Sequence, residues 1–187
     1  MFSPAITLSA GKRLARMVAK QELPLSEFLK DFRETIDSAT NRLLLITEEQ
    51  SAVRRAEGKW SKKEIIGHLI DSAANNHQRF VRAQFRDDLH FPGYRQEEWI
   101  QAQQYNQERW IDLVQLWKHY NLHLAHVMSA TPAEKLATLR QIHNLDEIAF
   151  HTVAKSEPAT LEYFIRDYVA HLQNHLRQIF GSETPEE

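Results

Sequence analysis

His171 and His175 stand four residues apart in DYVAHLQNHLRQIF, within the apolar stripe of a predicted helix. Side chains at i and i+4 leave one side of a helix with about 5–6 Å between their Cβ atoms. Two imidazoles so placed can hold one metal ion or one hydrogen-bonded substrate. At about 100° per residue, His175 falls near the centre of the stripe and His171 at its flank, so both point inward or into a pocket between helices. Rings facing a core need partners, because an unpaired buried polar group is costly. Either hydrogen bonds satisfy two core histidines, or a ligand does.

A third imidazole is within reach of the argument. His68 lies on the edge of the apolar face of an earlier predicted helix, and Ser72, Asn75 and Arg79 follow it at i+4, i+7 and i+11. Asn76 falls inside the apolar sector itself. Such a polar seam beside a hydrophobic stripe is either a solvated flank or the lining of a cavity or helix–helix groove. Three histidines on two facing helices would make a metal site with open positions, and imidazole suits Zn, Ni, Cu or Fe. An open position is what separates catalytic from structural zinc. Asp71, three residues after His68, has the chemistry to support a ligand, but its angle on the helix points it outward.

A rival group, His119, His123 and His126, shares another helix. His119 and His126 project away from the Trp110–Trp117 stripe and read as surface residues. His123, with Tyr120, lies on the flank and could border the same pocket as His68. His77, His90, His143 and His151 have no supporting spacing. The chain has no Gly-rich phosphate loop, no HExxH and no GxSxG, and the acidic pairs Asp87–Asp88 and Glu97–Glu98 read as solvated.

Four main helices must position these residues. The first is predicted over Leu25 to Glu49, from the helical repeat of Leu25, Phe28, Leu29, Phe32, Ile36, Ala39, Leu43 and Ile46. The second opens at Ser61 with Glu64 at N3, a capping box, flanked by Trp60 and Ile65 at the positions of a hydrophobic staple. It runs to about Arg86, before the Pro92-Gly93 turn signal. The third spans about Tyr105 to Ser129, after a short turn at Glu97–Gln101, and Thr131-Pro132 closes it ahead of a short helix at Ala133–Leu139. Residues 140–159 resist assignment, with Ile148–Val153 either extended or loop. The fourth helix starts near Thr160 as N-cap and stops at Gly181.

Long amphipathic helices without a convincing sheet predict an all-α four-helix bundle, with long loops between helices two and three and between three and four. Residues 1–24 form an N-terminal segment in which Leu14, Met17 and Val18 could make a short helix. Residues 25–181 form one domain, and 182–187 a polar, frayed tail.

The composition narrows the function. The 187 residues carry a formal charge of −2 with no long basic block, which argues against nucleic acid or an anionic membrane as partner. There is no cysteine, so disulfides, thiolate ligands and a cysteine nucleophile are excluded. No apolar run approaches the roughly 20 residues of a membrane span, and the first residues lack a signal-peptide core; a cytoplasmic setting fits. Four tryptophans and ten histidines stand out. The aromatics on these long helices exceed what one core needs, which suggests a homodimer.

The segments Gly58-Lys59-Trp60-Ser61 and Glu64-Ile65-Ile66-Gly67-His68-Leu69-Ile70-Asp71-Ser72 resemble the second-helix motif of the DinB/YfiT-like superfamily. Asp167 to Ile179 resembles its last-helix HxxxH motif. Asn75 to Phe80, Phe91-Pro92-Gly93-Tyr94 and Tyr120 to His126 are similar to one subgroup. The resemblance covers about residues 25–180. It implies an up-down-down-up topology, often dimeric, and one divalent metal, zinc or nickel, held by three histidines that map onto His68, His171 and His175. It further implies thiol S-transferase chemistry with bacillithiol or mycothiol, mycothiol-dependent isomerisation, or hydrolysis. The activity does not transfer with the fold.

Two functions are therefore expected as alternatives. One is a metal-dependent transferase or hydrolase acting on a small molecule, with a low-molecular-weight thiol as a candidate cosubstrate. Its metal would lower the pKa of a bound water or thiol. Asn75, Arg79, Tyr94 and His123 are the candidate substrate contacts. The other is a non-catalytic bundle whose histidines store or sense a metal or are simply structural.

Overall fold

The apolar repeat of the first long segment does fold as a helix, but a shorter one than its period suggests. In this computed structural model, which describes residues 23–181, helix α1 covers Leu25–Leu43 and buries Leu29, Phe32, Ile36, Ala39 and Leu43. The expectations for residues 1–22 and for the tail 182–187 fall outside the described residues. The predicted continuation to Glu49 fails because a new helix start intervenes. Thr47 and Gln50 form a capping box that opens α2, Glu48–Ala52. Leu44 and Leu45, between the two helices, are left exposed.

Helix α3, Lys62–Arg82, begins where the sequence says. The Ser61 hydroxyl accepts from the Glu64 N–H, and the Glu64 carboxylate accepts from the Ser61 N–H. The next turn, Ala83–Phe85, tightens to 3-10 geometry short of the expected end at Arg86. In place of a short turn, a full helix α4 occupies Gln96–Gln103 and stops at Gln104, whose φ of 50° is left-handed. Tyr105–Gln107, expected within the third long helix, is a separate 3-10 turn with Tyr105 buried. Helix α5 then runs Trp110–Ala130. Short helices α6, Ala133–Ala137, and α7, Leu145–Ile148, follow. Residues 149–153 are irregular and join no strand. Helix α8, Leu161–Phe180, is capped by the Thr160 hydroxyl accepting from the Tyr163 N–H at 3.0 Å. It ends at Gly181, whose φ of 82° suits glycine.

The long helices α1, α3, α5 and α8 form the four-helix bundle with the expected up-down-down-up order. Helix α5 packs against α1 and α3, and α3 against α8. Phe32, Leu69, Phe80, Trp117, Leu124, Phe164 and Leu172 fill the interior. Trp110 and Trp117 are wholly interior, Trp60 is half-buried and Trp99 is 38% exposed. Of the four tryptophans behind the dimer expectation, two are thus spent in the core of one chain and two keep exposed surface. Among the described residues no helix is long and apolar enough to cross a membrane.

The two long linkers are built against each other. Leu89 N–H donates to Ile142 O at 2.9 Å. The Asn144 amide accepts from Phe91 N–H at 3.0 Å and donates to Phe91 O at 2.9 Å. Arg140 and Ala159 exchange backbone hydrogen bonds at 2.8 and 3.0 Å. These clasps hold the linkers as a fixed wall beside α3 and α8.

Candidate metal centre

Three imidazoles meet where α3 faces α8. His68 Nε2 lies 3.2 Å from His171 Nε2, and each of His68, His171 and His175 offers one ring nitrogen within 4.8 Å of the others. Ring centroids are 4.6 to 5.1 Å apart. Two nitrogens bound at the usual Zn–N length to one tetrahedral ion stand about 3.3 Å apart, so the closest pair already has ligand spacing. The edge position assigned to His68 understates its depth, for it is fully buried.

Electrostatics keep the lone pairs available. Burial draws the His68 pKa down to about 2, with the His171 and His175 rings adding repulsion. Burial, then His175, draws His171 down to about 3. Burial also lowers His175, against an opposing hydrogen bond from Gln178. Near neutral pH all three rings are uncharged, the form that binds metal. His175 Nδ1–H donates to Gln178 Oε1 at 3.1 Å, which leaves Nε2 free to bind a metal. His68 Nδ1 is buried without a partner.

The chain around the cluster fixes these rings. Trp60 packs on His68 and on His175, at centroid distances of 5.1 and 6.4 Å. Gly67, immediately before His68, lets the Tyr105 ring lie against α3; a Cβ there would stand 2.1 Å from that ring. Tyr105 can then donate its hydroxyl to Asp71 Oδ1 at 2.7 Å, and Gln103 Nε2 donates to the same oxygen at 2.7 Å. The outward angle assigned to Asp71 is misleading, because α4 and the Tyr105 turn cover that side and leave it 3% exposed. Burial raises its pKa, opposed by the bonds from Gln103 and Tyr105. Asp71 Oδ2, like His68 Nδ1, has no partner.

His171 and His175 border a cavity of about 380 Å³. Helix α3 contributes Ser72, Asn76 and Arg79; the first linker contributes Gly93, Tyr94 and Gln96; the second contributes residues 147–150. Gly93, Glu147 and Phe150 are exposed, so the cavity reaches solvent between the linkers. Of the candidate substrate contacts, Arg79 and Tyr94 stand in this wall. Asn75 does not: its amide donates back to Asp71 O at 2.9 Å, and its neighbour Asn76 faces the cavity instead. Nor does His123, which is exposed and packs on His77 at 5.1 Å. One residue along a helix turns a side chain by about 100°, enough to exchange Asn75 for Asn76.

Asp167 opens the segment that resembles the last-helix motif, but sequence reasoning gave neither it nor Phe150 a role at the site. The Asp167 carboxylate accepts from the Phe150 and His151 N–H groups at 2.7 Å each and contacts His151 Nδ1 at 3.0 Å. That pins the second linker to α8 and sets Phe150 5.6 Å from the His171 ring. A further sequence cue was an aspartate inside the apolar face of α8, one turn before His171.

A family model described as the DinB superfamily matches residues 31–179. No curated protein matches the sequence. Among solved structures, YfiT from Bacillus subtilis, described as a probable metal-dependent hydrolase with an unusual four-helix bundle topology, is similar at a TM-score of 0.68 and 14% identity. The match covers 86% of this chain and 88% of YfiT. At that identity the likeness speaks for the fold, while the family model spans most of the domain: the chain belongs to the DinB superfamily.

Proposed function

We propose that the chain is a divalent-metal-dependent enzyme acting on a small molecule in the cavity beside α8, with His68, His171 and His175 as ligands and zinc or nickel as the metal. The observation that carries this reading is the cluster of three uncharged imidazole nitrogens, two of them 3.2 Å apart, at the edge of a cavity that reaches solvent. A structural site would be closed on all sides. The description of YfiT as metal-dependent supports it.

When bound, the metal would make a water or a thiol a stronger nucleophile at neutral pH. The chain's own residues do the rest. Gln178 holds the His175 tautomer, and Trp60 covers the ring faces of His68 and His175. Asp167 fixes the linker that brings Phe150 beside His171. Ile148, Phe150 and Phe164 give the cavity apolar wall that a small substrate can displace water from.

The reaction is hydrolysis or thiol S-transfer. Metal analysis of freshly purified protein, followed by turnover assays with model esters, amides and electrophiles with and without added low-molecular-weight thiol, tests both halves. We expect about one metal per chain. Turnover only with a thiol present assigns a transferase, and turnover without it a hydrolase. Metal content that survives replacement of the histidines would overturn the ligand set, and metal binding without turnover of any probe would overturn the enzyme in favour of a storage or sensing bundle.

A further inference from the structure

Arg79 is 6% exposed, and no described carboxylate pairs with it. A guanidinium this deep ordinarily meets an anion. Nη2 donates to Pro92 O at 2.8 Å, Nη1 reaches Asn76 Oδ1 at 3.4 Å, and the Phe164 ring centroid lies 5.9 Å from Cζ. A guanidinium offers more N–H donors than these contacts consume. Burial lowers its pKa, and the group opposing the shift is the Tyr94 phenol, not a carboxylate. The two acids in the same cavity wall are committed elsewhere: Asp167 to the Phe150–His151 backbone, and Glu147 to Lys155 at 3.1 Å. A buried cation without a counter-ion, lining a cavity, is an arrangement completed by a ligand's charge.

Its place in the cavity sets the shape of that ligand. Along α3, at about 1.5 Å per residue, Arg79 lies about 16 Å from His68 between backbone positions, and its long side chain leans back toward the helix N-terminus. Ile148, Phe150 and Phe164 line the same cavity, with the Phe164 ring 5.9 Å from the Arg79 guanidinium and the Phe150 ring 5.6 Å from the His171 ring.

We propose that Arg79 is the docking point for an oxyanion group of the substrate, a carboxylate or phosphate, joined by an apolar stretch to the reacting end at the histidines. This rests on the reading of His68, His171 and His175 as the reaction centre. A planar guanidinium takes either oxyanion in a two-pronged contact.

Calorimetric titration of the full chain with hexanoate, hexyl phosphate and hexanol tests the proposal. It is run on protein as purified and again after chelation, so that direct coordination of an anion to metal is separated from binding at Arg79. In chelated protein we expect one or both anions to bind at least about tenfold more tightly than hexanol, with the preferred anion naming the group. Arg79→Gln should abolish that preference and leave hexanol binding intact, and Arg79→Lys should keep part of it. Equal binding of all three probes to chelated wild-type protein overturns the proposal without any variant. So does an anion preference that survives Arg79→Gln. Failure of the chain to take up metal would count against the ligand set alone, because the chelated titration does not depend on it.

Discussion

Two groups of histidines share this bundle and differ in nearly everything except ring contact. His77 and His123 pack at 5.1 Å, and His123 and His126 at 6.4 Å, on the outer side of α3 and α5. His123 and His126 are exposed, so water can satisfy each ring separately. His68, His171 and His175 converge on the opposite side of α3, where burial strips water away and pushes three nitrogens toward one point. His143 gives a third outcome: it is buried, but Nε2 donates to Glu157 O at 2.7 Å and Nδ1 accepts from the Leu145 N–H at 3.2 Å, so nothing is left over. Proximity of imidazoles is therefore not what distinguishes a site. The distinguishing feature is the convergence of buried ring nitrogens on one point, with His68 Nδ1 left without a partner.

The contrast breaks most sharply under substitution. Removing two of the proposed ligands by His171→Ala with His175→Ala should take metal content from about one per chain to background, since one imidazole does not retain a divalent ion through purification. His77→Ala with His123→Ala should leave metal content unchanged. Elemental analysis of both pairs reads the difference directly, and metal lost equally from both would erase the distinction between the groups.

Acid titration of the chelated protein reads the same contrast in stability. The folded-state pKa values of His68 and His171, about 2 and 3, lie below the ordinary 6.5. Between these limits the unfolded chain binds protons that the folded chain refuses, so stability is full above pH 6.5 and falls as pH drops toward 3. Each ring costs up to about 1.4 kcal/mol per pH unit in that window. Denaturant melts from pH 7 to 4 should show the slope. His68→Gln with His171→Gln should flatten it, whereas His77→Gln with His123→Gln should leave most of it in place.

How much of this was legible in the sequence follows from the range of the forces involved. The helices and the Ser61 and Thr160 caps are written in local patterns, and so is the HxxxH pair. The third imidazole of the cluster came from a polar seam on the helix that faces α8, but the seam was placed one residue off at Asn75, because a helical wheel has no knowledge of which neighbour covers which flank. Asp71 shows the same limit: α4 and Tyr105 bury a flank that the wheel assigns to solvent. The cavity wall was least legible, since it depends on Asn144 clasping Phe91 and Asp167 holding Phe150, contacts that cross 53 and 17 residues.

Gly67 tests whether the buried side of α3 is as tightly fixed as the contrast requires. A methyl at Gly67 would meet the Tyr105 ring at 2.1 Å, whereas one at Gly93, in the cavity wall, finds only Ile148 at an ordinary 3.8 Å. Gly67→Ala should lower unfolding stability by about 1–3 kcal/mol through overpacking, measured by denaturant melts, and Gly93→Ala should change it by less than about 0.5 kcal/mol. Equal effects would mean that Tyr105 yields freely and does not hold Asp71.

The smallest effect concerns Asp71 itself. Its Oδ1 receives Tyr105 and Gln103, while its Oδ2 and the His68 Nδ1 are both buried without partners, three residues apart on one helix. A ligand histidine commonly donates its second ring N–H to a carboxylate, and loss of such a partner costs about 10–100-fold in metal affinity. Asp71→Asn keeps the shape and an oxygen for the Tyr105 hydroxyl, so the fold should survive while metal affinity falls by about tenfold. Competition with a chromophoric chelator measures it. Among the described residues no carboxylate bonds to His77, His123 or His126, so Asp112→Asn on α5 serves as the control and should leave affinity unchanged. An Asp71→Asn protein with wild-type affinity would assign Asp71 to holding Tyr105 and Gln103 alone, and would leave His68 oriented by Trp60 and the packing of α3.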